Sequence, residues 1–147
     1  MIHHYSIAVE DTKKVAEVLN KLFKGHITKF TPRENSYMLW FDDTYGSAIE
    51  LYPIKTEMLP GKDNEAAKFS TNVKASGYTA THAAISVNVD KETIIKLGKS
   101  LGWRAKELPR GGFNVIEFWL ENRVMIELLT PEMAADYLEA FAREKKI

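Results

Sequence analysis

The sequence predicts an α+β fold made of two tandem βαβββ modules, followed by a C-terminal helix. The order of one strand, one helix and three strands occurs twice along the 147 residues, and matching residues in the two copies keep a nearly constant spacing. A chain of this length forms one ordinary domain with one core. We therefore expect a single duplicated domain, with module 1 over residues 1–53, a connector over 54–81, module 2 over 82–131 and a helix over 131–147.

The first module opens with an alternating run typical of a strand, Tyr5–Val9, and Asp11 then predicts the N-cap of a helix. Apolar residues recur at helical spacing from Val15 to Leu22, and we expect Gly25 to end this helix as a left-handed C-cap. Three further strands follow, separated by turn-forming residues: Ile27–Phe30, Tyr37–Phe41 and Ser47–Tyr52. The polar connector after them is longer than most loops, which indicates a linker or a lid.

The second module repeats this order. A strand is predicted at Ala83–Asn88, and Asp90 then caps a helix that ends at Gly102. Three further strands are expected at Trp103–Leu108, Phe113–Trp119 and Val124–Leu129. Pro131 stands at the first position of a last helix. The apolar stripe of that helix is predicted to consist of Met133, Tyr137, Leu138 and Phe141.

The two modules also match in register. At an offset of 78 residues His4 matches His82, and at an offset of 77 residues Glu50 matches Glu127. The single lost residue falls between the helix and the following turn. Paired histidines and paired glutamates in one ordered register favour a duplication over convergence on a common local pattern.

Composition limits the chemistry. The chain has no cysteine, which excludes a disulfide scaffold, a zinc finger, an iron–sulfur cluster and a thiol nucleophile. Any metal must therefore be bound by histidines and carboxylates. The 20 basic residues balance the 20 acidic ones, so we expect no nucleic-acid partner and no membrane partner. No targeting or transmembrane segment is apparent, and we expect a cytoplasmic protein that acts on a small molecule.

The candidate metal ligands lie in the first and last strands of each module. His4 and His82 share their strand faces only with small residues, which leaves room for a cavity in front of each imidazole. Glu50 and Glu127 lie inside apolar runs, where an uncompensated carboxylate is costly. No lysine or arginine lies within these four strands. Two imidazoles and one divalent cation are then the simplest compensating set, and the ligands suit Ni, Co, Mn, Fe or Zn.

On these residues the chain resembles the vicinal oxygen chelate superfamily, which includes glyoxalases, methylmalonyl-CoA epimerase, extradiol dioxygenases, and fosfomycin and bleomycin resistance proteins. Four short motifs carry the resemblance: His-Tyr-Ser-Ile-Ala-Val from His4, Ala-Ile-Glu-Leu around Glu50, His-Ala-Ala-Ile-Ser-Val from His82 and Met-Ile-Glu-Leu around Glu127. The resemblance covers nearly the whole chain. It implies a curved mixed sheet around a metal, with one ligand at each of these four residues.

Two histidines with two glutamates are similar to the glyoxalase pattern, which implies lyase or isomerase chemistry on a small molecule with vicinal oxygens. A metal that holds both oxygens stabilises the enediolate formed when a proton leaves the adjacent carbon. Glu50 or Glu127 is then the base, and their symmetric positions leave this choice open. Two alternatives remain: a small-molecule sequestering protein of the bleomycin-resistance type, and a ring-cleaving dioxygenase, which the second glutamate disfavours. We also expect a homodimer.

Three further residues are candidates for substrate contact. Arg33 and Arg110 occupy matching turns after a proline, where each either holds an anionic substrate or is simply solvated. Tyr52 lies on the same strand face as the glutamate of the first module. Glu117 matches Trp40 by offset, which argues against a fifth ligand at that position.

Overall fold

The computed structural model describes residues 3–59, 66, 68–79, 82–110 and 112–144, with the backbone only for 141–144. The described residues form ten strands and three helices. They fall into two compact units, Met1–Tyr78 and Thr79–Ile147. None of the described helices combines the length and the apolar character needed to span a membrane.

The first unit contains a four-stranded sheet, one helix and a hairpin. Its elements are β1 (His4–Val9), α1 (Thr12–Phe23), β2 (His26–Lys29), β3 (Tyr37–Trp40), β4 (Ala48–Pro53), β5 (Thr56–Leu59) and β6 (Lys68–Thr71). The sheet order is β1-β4-β3-β2, with β1 parallel to β4 and the other pairs antiparallel. Helix α1 packs its buried Val15, Leu19 and Leu22 towards this sheet.

The second unit has the same architecture. Its elements are β7 (Ala84–Ser86), α2 (Lys91–Leu101), β8 (Ala105–Arg110), β9 (Phe113–Leu120), β10 (Val124–Leu129) and α3 (Pro131–Glu144). The sheet order is β7-β10-β9-β8, again with the first pair parallel and the others antiparallel. The repeated order and directions of the strands confirm the tandem βαβββ modules and the α+β class.

The helix caps follow the predicted chemistry at three of four ends. Asp11 accepts a hydrogen bond from the backbone N–H of Lys14 at 2.9 Å, and Asp90 accepts one from that of Thr93 at 2.8 Å. Each bond satisfies an N–H group that lacks a partner within its own helix. Gly102 ends α2 in the left-handed conformation.

The predicted cap at Gly25 is wrong. Lys24 takes the left-handed conformation, with φ of 54°, and its N–H bonds the carbonyl of Asn20. Gly25 serves a different purpose, because a Cβ atom at this position would lie 1.6 Å from the carbonyl oxygen of Trp40. The absent side chain therefore lets the chain leaving α1 pass directly against β3.

The predicted connector is not a plain linker. Its described part contains the β5–β6 hairpin, in which Thr56 pairs with Thr71, and this hairpin belongs to the first unit. The ring of Phe69 in β6 packs against that of Tyr52 in β4, with 5.3 Å between centroids. Arg33 in the β2–β3 loop donates a hydrogen bond to the Thr71 hydroxyl at 2.9 Å. These two contacts hold the hairpin beside the first sheet.

The strand register corrects one match between the modules. Met38 lies opposite Glu50 in the first sheet, and Glu117 lies opposite Glu127 in the second. The counterpart of Glu117 is therefore Met38, two residues from the predicted Trp40. The shift arises because the chain from β3 to β4 is longer than that from β9 to β10: 12 positions separate the first pair and 10 the second.

Helix α3 starts at Pro131, as predicted, but only part of its expected apolar stripe is buried. Met133 is buried, and Tyr137 packs edge-on against Phe113 at 5.0 Å between ring centroids. Leu138 is 69% exposed. The side chain of Phe141 lies outside the described part of the chain. The helix contacts β9 and β10 through one narrow face.

Candidate metal-binding site

Glu50 is the buried carboxylate of the first unit. It lies in β4 with 8% of its surface exposed. Its Oε2 atom accepts hydrogen bonds from the hydroxyls of Ser6 at 2.6 Å and Tyr52 at 3.1 Å. The parallel pairing of β1 with β4 places Ser6 directly opposite Glu50. Two hydroxyl donors thus replace part of the water that a buried carboxylate loses.

His4 lies at the edge of the same group. Its Nε2 atom is 3.8 Å from Oε2 of Glu50, and its side chain is 55% exposed. Two ligand atoms that each lie about 2.1 Å from one ion are about 3.0–3.4 Å apart, depending on the coordination geometry. The observed 3.8 Å is longer than this separation. The residue types of this pair suit two ligands of one divalent cation.

Tyr52 forms the wall beside Glu50. Burial, together with the charge of Glu50 and the hydrogen bond to it, raises the pKa of Tyr52 to about 12. The phenol is therefore a hydrogen-bond donor at neutral pH. Its ring also meets Phe30 edge-on, with 5.7 Å between centroids, and Phe69 at 5.3 Å. Three aromatic rings thus pack together here: Tyr52 in β4, Phe69 in β6 and Phe30 just after β2.

Glu127 in the second unit has a different partner. It is 9% exposed, and its Oε1 atom accepts a hydrogen bond from Nε of Arg110 at 2.9 Å. The sequence predicted that no arginine or lysine compensates the charge of Glu127 and that a metal must do so. The first part is wrong, because Arg110 supplies a positive charge from β8, across β9. Strand β8 extends through Arg110, so this residue does not lie in a turn as predicted.

Glu117 belongs to the same group, although its offset match to Trp40 argued against a role as a ligand. It lies opposite Glu127 in the β9–β10 pair. It accepts hydrogen bonds from the Arg110 guanidinium and from the Trp119 indole at 3.1 Å, and Arg104 Nε lies 3.7 Å away. Burial acts to raise the pKa of Glu117, but the bonds from Trp119 and Arg110 and both guanidinium charges outweigh it and lower that pKa. The one sequence signal is a charged residue on the same strand face as Trp119.

His82 is exposed and immediately precedes the Ala83–Ala84 step into β7. The β7–β10 register places Ala84 opposite Glu127, two residues beyond His82. In the first unit Ser6 lies opposite the corresponding glutamate, two residues beyond His4. The two histidines therefore have equivalent register positions. The methyl group of Ala84 offers no hydrogen bond where Ser6 does, so the two half-sites differ chemically.

The four predicted ligands are divided two and two between the units. Among the described residues, no three histidine, aspartate or glutamate side chains lie close enough together to hold an ion. His4 and Glu50 are brought together in the first unit. In the second unit the bond from Arg110 uses Oε1 of Glu127. Imidazole nitrogen and carboxylate oxygen are donors that suit Mn, Fe, Co, Ni or Zn, so this donor set fits a divalent ion.

Arg33 lines a separate cavity of about 310 Å³ at the β2–β3 loop, together with Phe30 in the loop and Tyr37 at the start of β3. Its guanidinium bonds Thr71. Arg33 is therefore attached to the hairpin instead of being freely solvated. The two predicted substrate arginines have different surroundings, because Arg110 contacts two carboxylates and Arg33 contacts the Thr71 hydroxyl at the end of β6.

The repeated βαβββ units form a glyoxalase-like α+β fold, and solved structures share it. The chain is structurally similar to the fosfomycin resistance protein FosX from Listeria monocytogenes complexed with Mn(II) and a sulfate ion, at 18% identity over 87% of this chain and 86% of that chain, with a TM-score of 0.53. It is also similar to FosX from Mesorhizobium loti, at 16% identity over 87% and 88% of the two chains (TM-score 0.52). A third similar structure is a possible glyoxalase from Bacillus cereus, at 15% identity over 87% and 96% (TM-score 0.51).

No family model and no curated protein matches the chain by sequence. At identities this low, the structural similarity shows the fold alone.

Proposed function

We propose that this protein is a divalent-metal-dependent enzyme of glyoxalase-like fold, with lyase or isomerase chemistry on a small molecule that carries vicinal oxygens. The observation that carries the proposal is the buried Glu50, bonded by two hydroxyls and 3.8 Å from the exposed imidazole of His4. The Mn(II) present in the similar FosX structure supports a divalent ion in this fold.

The metal ligands in this proposal are His4, Glu50, His82 and Glu127. Either one chain or two chains of a homodimer complete the set. The bound ion supplies Lewis-acid stabilisation of negative charge on the substrate oxygens. Mn is the first candidate, and Ni, Co, Fe and Zn suit the same donors. Arg33 and Tyr52 are the proposed substrate contacts, and Arg110 is a third candidate for an anionic group.

We assign the role of the base to Glu50 rather than Glu127. The Oε2 atom of Glu50 accepts from two neutral hydroxyls, which can adjust when the carboxylate gains a proton. Protonation of Glu127 would instead weaken its ion pair with Arg110. The proton from the carbon beside the substrate oxygens therefore moves to Oε1 of Glu50, and Glu50 returns it to the neighbouring carbon. The substrate's hydroxyl proton passes to the oxygen that was the carbonyl, so the isomerisation balances without another reactant.

The test measures proton exchange and metal content together. Purified protein is loaded with Mn(II), and a panel of α-hydroxy carbonyl compounds and α-ketoaldehyde adducts is followed by NMR in D₂O. We expect deuterium incorporation at the carbon next to an oxygen, and its loss in Glu50→Gln. Glu17→Gln, on the exposed face of α1, is the matched control. The proposal fails if no divalent ion binds, or if Glu50→Gln exchanges as fast as the parent.

A second candidate is a protein that binds and sequesters a small ligand without turnover. The ion pair between Arg110 and Glu127 favours it, because the second unit is then charge-compensated without an ion. Tight ligand binding by metal-free protein, with no exchange in the NMR assay, would establish this alternative. No observation among the described residues favours a ring-cleaving dioxygenase.

A homodimer and a cytoplasmic location also remain part of the proposal. Sedimentation equilibrium tests the first, with a mass of twice 16.7 kDa expected. Fractionation of the source cells tests the second.

A further inference from the structure

We propose that Arg110 is a positioning residue, which fixes the orientation of Glu127 and is itself held in place by Glu117. The inference rests on the proposed function, because it concerns Glu127 as a metal ligand. The guanidinium of Arg110 contacts three acceptors. Its Nε donates to Oε1 of Glu127 at 2.9 Å, one terminal nitrogen donates to Glu117, and the other donates to the Pro109 carbonyl at 3.1 Å.

The two glutamates need such a cation between them. Glu117 and Glu127 lie directly opposite each other on antiparallel strands, so their side chains project from the same face of the sheet. Like charges in this arrangement repel, and both side chains are nearly buried, at 13% and 11% exposed. A planar guanidinium can bond both carboxylates at once, whereas the ammonium of a lysine acts as a single point charge.

The direction of these bonds determines which oxygen of Glu127 faces a ligand. The hydrogen bond from Arg110 anchors Oε1 of Glu127. The other carboxylate oxygen, Oε2, is then the atom available to bind a metal ion. Carboxylates that bind metals are themselves hydrogen-bonded, and such partners fix the orientation of the ligand. In the first unit the neutral hydroxyls of Ser6 and Tyr52 hold Glu50 instead. A charged anchor is thus a property of the second half-site.

Glu117 is in turn fixed from its other side. The Trp119 indole holds it by donating to its Oε2 atom at 3.1 Å. Arg104 Nε lies 3.7 Å from the same atom, which is beyond hydrogen-bond distance, so it does not hold Glu117 in place. Glu117 therefore acts as the fixed support of Arg110. Arg104 provides a matched control, because it has the same side chain and the same charge as Arg110. In the part of the chain that the structure describes, Arg104 forms an ion pair with Glu117 alone, whereas Arg110 forms ion pairs with both Glu117 and Glu127.

The experiment compares Mn(II) affinity in the full chain by titration calorimetry and by EPR of free Mn(II). We expect Arg110→Met to weaken Mn(II) binding by about 10–100-fold per folded molecule, the range for loss of a partner that orients a ligand. Arg104→Met should stay within about twofold of the parent, because it leaves the partner of Glu127 in place. Melting temperatures of the metal-free proteins separate loss of structure from loss of affinity.

Arg110→Lys keeps the charge and protects the fold, but one ammonium cannot bridge both carboxylates, so we expect an intermediate loss of affinity. If Arg110→Met binds Mn(II) as tightly as the parent or more tightly, the positioning role is overturned. If Arg110→Met does not fold, an Mn(II) affinity of Arg110→Lys equal to that of the parent overturns it. Equal weakening by Arg104→Met and Arg110→Met also overturns it, because general loss of charge then explains both. A parent chain that binds no Mn(II) overturns the proposed function as well, whereas Mn(II) binding that needs Glu127 but not Arg110 overturns only this inference.

Discussion

Removal of the Tyr52 hydroxyl should lower the stability of the protein, whereas removal of the Tyr5 hydroxyl should not. The hydroxyl of Tyr52 donates to the Glu50 carboxylate at 3.1 Å, so Tyr52→Phe deletes one of its two hydroxyl donors without changing the shape of the ring. A hydrogen bond to a charged group contributes about 1.5–3 kcal/mol. We expect Tyr52→Phe to lower the free energy of unfolding by about this amount, and to lower Tm by about 3–12 °C for a chain of this size.

Tyr5→Phe is the matched control. The Tyr5 hydroxyl is buried and has no hydrogen-bond partner among the described residues, and burial raises the pKa of its phenol. An unsatisfied buried polar group costs about 1–3 kcal/mol. Removing this hydroxyl should therefore leave stability unchanged or increase it, although the two substitutions are chemically identical.

Urea denaturation followed by tryptophan fluorescence measures both variants, with EDTA present so that bound metal does not contribute to stability. The slope of the unfolding free energy against urea should be the same in all three proteins. Equal destabilisation by the two substitutions would refute our assignment of the Tyr52–Glu50 hydrogen bond as a source of stability. So would a stable Tyr52→Phe paired with a destabilised Tyr5→Phe.

Three other predictions concern packing, pH and metal. Gly25→Ala should lower the free energy of unfolding by about 4 kcal/mol or more, because its Cβ atom would meet the Trp40 carbonyl. Gly46→Ala, at φ of 64° in open space, should lower it by only about 1–2 kcal/mol. Unfolding followed by circular dichroism checks both variants. Since the pKa of Glu117 lies below its ordinary value of 4.5, its contribution to stability is complete above that value and is lost as the pH falls through the lowered pKa. The stability gap between the parent and Glu117→Gln should thus narrow from pH 6 to pH 3 in urea titrations, and a gap that widens in acid contradicts the assignment. Mn(II) at about 100 times its Kd should raise the free energy of unfolding of the parent by about 2.7 kcal/mol in calorimetry. This stabilisation should vanish in His82→Ala. If Mn(II) still stabilises that variant, His82 is not a ligand.

The sequence alone predicted the repeated βαβββ order, because the features that define it are local. Period-2 alternation marks strands, a 3.6-residue period marks helices, and Asp11, Asp90 and Gly102 carry their own capping chemistry. The burial of Glu50 and Glu127 also followed from their apolar neighbours. The structural neighbours agree with the fold that the four short motifs indicated.

The tertiary structure decided which groups compensate the buried charges. Arg110 reaches Glu127 across β9, and Glu117 faces Glu127, only because the turn between β9 and β10 sets that register. Sequence spacing does not report such a contact, since partners on non-adjacent strands are separated by turns whose lengths differ between the modules. The same limit explains Gly25, whose role depends on the distant Trp40 carbonyl. Local periodicity thus determined the elements of this protein, and the packing of strands in register decided the electrostatics of its site.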